Sequence, residues 1–161
     1  ILQVNSGATA LEFTAKPQGG IAQVVQNVLP HTSQSSSSST QQDVANSETS
    51  LTPASSSSKI LIMVTLNGIR KSTNTYGEFD IYRKIGSGSY SQLERIVHGH
   101  LYTGEGTTQT SGLSYNYLDT PNTTDQVYYK LRFRSVANVS SIAINVDSQE
   151  GCSITLMEVT V

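Results

Sequence analysis

The sequence predicts an all-β protein, an antiparallel sandwich of eight or nine strands, on three observations. The longest apolar run, Lys59-Ile60-Leu61-Ile62-Met63-Val64-Thr65-Leu66, is rich in side chains branched at Cβ and lies between a serine tract at 55–58 and Asn67-Gly68, as a strand bounded by turn signals does. Residues 127–134 alternate without a break, with Val127, Tyr129, Leu131 and Phe133 on one parity and Tyr128, Lys130, Arg132 and Arg134 on the other. No segment carries a sustained helical period or a capped helix start.

The run at 59–66 reads as the central strand. Ile60, Ile62, Val64 and Leu66 take one parity and Leu61 and Met63 the other, so neither face expects water. Such a strand needs a layer on each side, which points to a sandwich that also associates with copies of itself.

At 161 residues and 36% hydrophobic content the chain suffices for one core, with Ser and Thr filling the surface. A net charge of -2 with 14% charged residues gives no global basic field, so neither nucleic acid nor an anionic membrane is expected as a partner. The single cysteine, Cys152, permits no internal disulfide and no thiolate metal site, and reads as a small buried hydrophobe. No stretch reaches the ~18 apolar residues of a membrane helix. The chain opens at Ile1 rather than methionine, as a piece of a longer polypeptide does.

In order, residues 1–20 hold two short β-prone pieces, Leu2 to Val4 and Leu11 to Thr14, around Asn5-Ser6-Gly7, and end at Pro17 and Gly19-Gly20. They are assigned as a stalk or linker, and 21–161 as the sandwich. Ile21 to Leu29 is too short before Pro30 for a helix and is taken as a strand. The serine-rich 32–42 tract reads either as a flexible linker or as a long loop feeding an edge strand, the loop being favoured because nothing before it could fold alone. Later strands are expected at Glu78 to Arg83, with Phe79 and Ile81 inward, at Gln92 to Tyr102, Leu113 to Leu118 and Val127 to Arg134, and at Ile142 to Val146. The last, Cys152 to Val161, changes inward parity between Leu156 and Met157, which suggests a bulge or a second buried face.

Several motifs resemble a known family. Gln23-Val24-Val25-Gln26, Thr52-Pro53, Ser56 to Ser58 leading into Lys59 to Val64, Tyr117-Leu118-Asp119-Thr120-Pro121, and Ser153-Ile154-Thr155-Leu156-Met157-Glu158-Val159 together resemble a C-terminal domain widespread in tailed-phage virion proteins, particularly tail fibres of marine and cyanobacterial phages. Ile1 to Phe13 looks like a linker motif found just upstream in such fibres. The resemblance covers most of the chain and implies a jelly-roll-like sandwich, a parallel homotrimer located in the virion, and attachment to the bacterial surface through a glycan or outer-membrane protein. The stretch Val44 to Leu51 is more polar than the family's strand there, which leaves the second strand and its pairing open.

None of these motifs is catalytic, and no nucleophile elbow accompanies the many serines, so no enzyme is expected. Glu78 and Asp80 are the nearest carboxylate pair for a polysaccharide depolymerase, but as i and i+2 on one strand they read rather as a solvated outer face. Tyr128, Lys130, Arg132 and Arg134 form a basic stripe that suits phosphates or acidic sugars, or else pairs with acids on neighbouring strands. Two functions follow, a receptor-binding fibre tip or a purely structural virion module such as a capsid decoration or tail adaptor. An end directly after the last strand, at Glu158-Val159-Thr160-Val161, fits a distal terminus.

Strands that alternate in direction from an N-terminal stalk send the connections at 32–42, 69–77, 103–112 and 136–140 to the far end. The expected receptor-binding residues are Arg70, Lys71, Asn74, Tyr76, Glu105, Gln109 and Asn138, with Tyr76 the best anchor for a sugar ring. His98-Gly99-His100 should place two imidazoles on one strand face. Such His-x-His pairs resemble those that fibres and spikes of other tailed phages set on a threefold axis, where three pairs would give six nitrogens for iron or nickel. Otherwise the two histidines are simply hydrogen-bonded and no cofactor is expected.

Overall fold

The computed structural model describes residues 2–4, 11–13, 19–103, 106–136 and 140–160. β1 (Leu2–Val4) and β2 (Leu11–Phe13) pair antiparallel, Leu2 opposite Phe13. A six-stranded sheet contains β3 (Gly20–Val28), β4 (Gln34–Ser36), β7 (Lys59–Lys71), β10 (Gln109–Asp119), β12 (Ile142–Ile144) and β13 (Ser153–Thr160). A five-stranded sheet contains β5 (Gln42–Asp43), β6 (Thr49–Leu51), β8 (Gly77–Ile85), β9 (Ser91–His100) and β11 (Val127–Ser135).

Across the first sheet the order is β3, β13, β7, β10, and β4 and β12 prolong β3 and β13 towards one end. Across the second it is β6, β11, β8, β9, with β5 prolonging β6. All pairings are antiparallel, and the chain crosses between sheets from β4 to β5, β6 to β7, β7 to β8, β9 to β10, β10 to β11 and β11 to β12. This connectivity is a jelly roll. The alternation of β11 is met in full: Val127, Tyr129, Leu131 and Phe133 are buried and the intervening residues are partly exposed.

Between the sheets, Ile60, Ile62, Val64, Leu66, Ile154 and Leu156 pack with Phe79, Ile81, Val127, Leu131 and Phe133. Burial of each such side chain contributes roughly 1.5–3 kcal/mol. The rings of Phe79 and Phe133 stack with centroids 6.1 Å apart.

Three local expectations need correction, and two further segments depart from a simple alternation. Asn67-Gly68 is not a turn, because β7 runs on to Lys71 through Gly68 at φ +59. The carbonyls of Asn67 and Gly68 accept from Asn145 and Val146 at 3.1 and 3.2 Å, and a Cβ at Gly68 would come within 2.8 Å of Glu150 Cγ. The second face of the central strand is only half covered, since Leu61 and Met63 lie on the outside of the larger sheet. In β13 the inward row is Ile154, Leu156 and Glu158, and the register shift falls between Glu158 and Val159, not at Leu156/Met157. A buried carboxylate occupied a position that hydrophobicity alone would turn outward. The polar stretch 44–51 is a broken strand: Asn46 sits at φ 60 and the Ser47 hydroxyl accepts the Leu131 N–H at 3.0 Å where ladder pairing lapses. Finally, three register shifts between β8 and β9 let Leu93, Ile96 and Val97 all reach the core, so β9 has no simple two-sided pattern.

Candidate functional site

The register brings four connections to one end of the sandwich: 29–41, 72–76, 101–108 and 136–152. Hydrogen bonds lace them together. Ser135 N donates to Ser38 O at 3.0 Å, Val136 N to Tyr76 O at 3.0 Å and Ser72 N to Ser141 O at 3.1 Å. The hydroxyls of Thr75 and Ser135 meet at 2.6 Å in a buried contact, and those of Ser72 and Ser140 at 2.7 Å. Small hydroxyl residues thus hold turns that have no apolar core of their own, which fixes the surface presented there.

On this end Arg70 and Asn74 are exposed, Tyr76 is half-buried, and Gln109 is a partly buried first residue of β10 opposite Lys71. Lys71 does not face outward: its side chain is fully buried, at 0% exposure, with Nζ donating to Thr103 Oγ1. Glu105 and Asn138 lie outside the described residues. Tyr102, which the sequence reading did not single out as a contact, is 65% exposed at the same end.

The two histidines are separated. Gly99, at φ +95, bulges β9, so that His98 pairs with Glu78 and His100 with Gly77. The His98 Nδ1 contacts Glu78 Oε2, whereas the His100 ring packs edge-on against Phe79 at 5.8 Å and its Nε2 lies 2.9 Å from Ser111 Oγ. Glu78 and Phe79 are consecutive on β8 and point to opposite faces. The pair therefore does not share a face, the premise of the threefold-axis site. Burial among apolar groups also holds the His100 pKa below its ordinary value. No cluster of three or more metal-ligating side chains occurs among the described residues.

Glu78 and Asp80 are not a solvated pair: each is 1% exposed on the outer face of the smaller sheet. The Gln41 amide donates to Glu78 Oε1 at 3.0 Å and also to Asp80 Oδ2. Arg134 reaches both oxygens of Glu78 at 2.9 and 3.1 Å, and Arg95 lies 3.4 Å from Asp80 Oδ1. Burial alone would raise both pKa values. For Glu78, hydrogen bonds from Arg134 and His98 outweigh it and the pKa falls; for Asp80, burial and the neighbouring Glu78 charge prevail and the pKa rises. With both carboxylates covered and bonded, no sugar bond can be placed between them.

The rest of the basic stripe is also paired. Lys130 and Arg132 each meet Asp43 at 2.7 Å, and Lys84 lies over the Tyr128 ring at 4.1 Å. Below the loops, a cavity of about 250 Å³ is lined by Leu29, Pro30, Val44, Ile144 and Cys152 among others. Two of its polar side chains are bonded, Gln34 to Asp43 O and Ala45 N, Asn145 to Pro30 O and Glu150 N. The Cys152 thiol is buried beside Asn67, and burial raises its pKa.

The outer face of the larger sheet carries one apolar row beside the mainly polar row Asn116, Met63, Thr155 and Gln26. Leu118, Leu61, Met157 and Val24 form one row across four strands. Ile21, Val24, Val28 and Leu118 are exposed.

No protein-family model and no curated protein matches this sequence. Among solved structures, the chain is similar to the VP2 subviral particle of infectious bursal disease virus, at 12% identity and a TM-score of 0.45, over 87% of this chain and 40% of that one. Structures of the Gx and Gt strains of the same virus match over 87% of this chain at 11% and 9% identity, with TM-scores of 0.41 and 0.39. The chain spans about two fifths of the length of these proteins, 39% and 40% for the two strains.

Proposed function

We propose that the chain is a non-enzymatic virion module, the trimeric tip of a tailed-phage tail fibre, which attaches to a glycan or outer-membrane protein of the bacterial surface. The observation that carries this reading is the two-ended layout of the jelly roll. β3 starts at Gly20 at one end, where a stalk at 1–20 would join, and the long polar connections are laced into a fixed surface at the other, with Arg70, Asn74, Tyr76 and Tyr102 on it. Groups held on loops over a rigid scaffold suit recognition of a surface ligand. The motif resemblance at 23–26, 52–64, 117–121 and 153–159 supports the same assignment.

The apolar row Leu118, Leu61, Met157 and Val24 supports self-association, because an open face of this kind is characteristic of interfaces. That face also favours the second reading, a capsid decoration or tail adaptor that assembles without touching a receptor. The deciding experiment is binding of the full chain to bacterial cells with and without their surface polysaccharide. Saturable binding lost on stripping supports the fibre tip, and no binding to any strain favours the structural module.

A further inference from the structure

At the loop end, Tyr76 sits in a corner of rings. Its ring meets the His98 imidazole edge-on at 5.6 Å and the Tyr102 ring edge-on at 5.2 Å. The turn that presents Tyr102 is fixed on both sides. Tyr102 N donates to Gly99 O at 3.1 Å, Leu101 takes the left-handed conformation at φ 63, and Lys71 Nζ donates to the hydroxyl of the next residue, Thr103. A leucine at positive φ is costly and persists only where the surroundings enforce it. The strained turn holds a 65% exposed tyrosine out over the surface instead of folding it into the core.

Resting on the attachment reading, we propose that Tyr102, braced by Tyr76 and flanked by His98, is the stacking platform for a pyranose ring of an envelope polysaccharide. One face of a pyranose carries mainly C–H groups and suits a flat aromatic surface, while its hydroxyls lie around the rim. Tyrosine offers that surface at little entropic cost because it has few torsions to freeze. The polar partner is in place: His98 is 49% exposed, and its Nδ1 is held by Glu78, itself fixed by Arg134. A carboxylate accepts from Nδ1–H, which leaves Nε2 to hydrogen-bond a sugar hydroxyl. Arg95, 47% exposed beside the same Glu78, adds a cationic donor.

The test is NMR titration of the full chain with methyl glycosides of glucose, galactose, mannose, N-acetylglucosamine and glucuronic acid, following the Tyr76, Tyr102 and His98 ring signals. At least one sugar should perturb these rings, Tyr102→Ala should weaken it about tenfold, and Tyr102→Phe should keep most of the affinity. Unchanged affinity in Tyr102→Ala, or no sugar perturbing the rings, overturns the platform. If wild-type chain still binds cells through their polysaccharide in that case, the attachment reading stands. If it binds none, that reading fails too.

Discussion

Arg83 and Asp119 join the two sheets, the guanidinium Nη1 lying 2.8 and 2.9 Å from the two carboxylate oxygens. Arg83 follows Phe79 and Ile81 on the inward parity of β8, and Asp119 ends β10 with 3% exposure, where the Tyr129 hydroxyl also donates to it at 2.7 Å. The contact closes the end of the core opposite the 72–76 turn, where apolar rows run out. Asp119→Ala should lower unfolding free energy by about 1–3 kcal/mol, since it leaves the buried Tyr129 phenol and the partly exposed Arg83 guanidinium without their acceptor. The urea midpoint measures it, and Asp119→Ala combined with Arg83→Met should cost less than the sum of the two single changes.

Glu158 predicts an acid-sensitive step. Its buried carboxylate accepts from Gln23 Nε2 at 2.6 Å and from Ala54 N at 2.7 Å. Burial alone would raise its pKa, but these bonds hold it below the ordinary 4.5. With the folded value below the unfolded one, its contribution is complete above the unfolded pKa and is lost as pH falls through the folded pKa. Acid unfolding curves of Glu158→Gln should therefore be flatter than wild type in the range below pH 4.5.

Asp80 carries the opposite sign. Burial and the charge of Glu78 raise its pKa above 3.8, so its contribution is full below that value and is lost as pH rises through the folded pKa. Asp80→Asn should raise the thermal midpoint at pH 7 relative to wild type, with the difference shrinking in acid. An equal loss at all pH values would show that the Gln41 and Arg95 contacts outweigh the burial of charge.

Gly68→Ala tests the path of the central strand. A Cβ there meets Glu150 Cγ at 2.8 Å and Val146 N at 3.1 Å, on a residue at φ +59. Destabilisation of roughly 1–3 kcal/mol by chemical denaturation is expected, above the usual Gly-to-Ala effect.

Val24→Lys together with Leu118→Lys tests the open apolar face. Charges placed on the row of Leu61 and Met157 should leave the sandwich folded and abolish the proposed self-association, leaving a monomer in sedimentation. An unchanged mass would move the interface elsewhere.

The strands that pack on one face were legible because period 2 records one-sided burial, as at Val127, Tyr129, Leu131 and Phe133. Counting direction reversals placed the connections after β3, β7 and β9 at one end, but it sent the 147–151 turn to the opposite end, because the three-residue β12 prolongs β13 along β7 instead of spanning the sheet as a strand of its own. What the sequence concealed were departures from the period. Gly68 and Gly99 at positive φ look like turn residues, yet one continues a strand and the other turns His98 and His100 to opposite faces. Buried charge was equally hidden: Glu78, Asp80, Asp119, Glu158 and Lys71 read as surface until their partners, up to 135 positions away for Glu158, are known. Tyr102 had a usable signal, a tyrosine just beyond a Gly in a strand that ends in a polar loop, but only geometry joins it to Tyr76.

The central claim is that the end carrying Arg70, Tyr76 and Tyr102 meets the host. Adsorption of the full chain to encapsulated bacteria tests it, comparing Arg70→Ala with Tyr76→Ala at that end against Ser87→Glu with Thr124→Lys at the other. Loss of adsorption in the first pair and retention in the second, with melting temperatures unchanged, is the predicted result. Retention in the first pair and loss in the second would contradict the account.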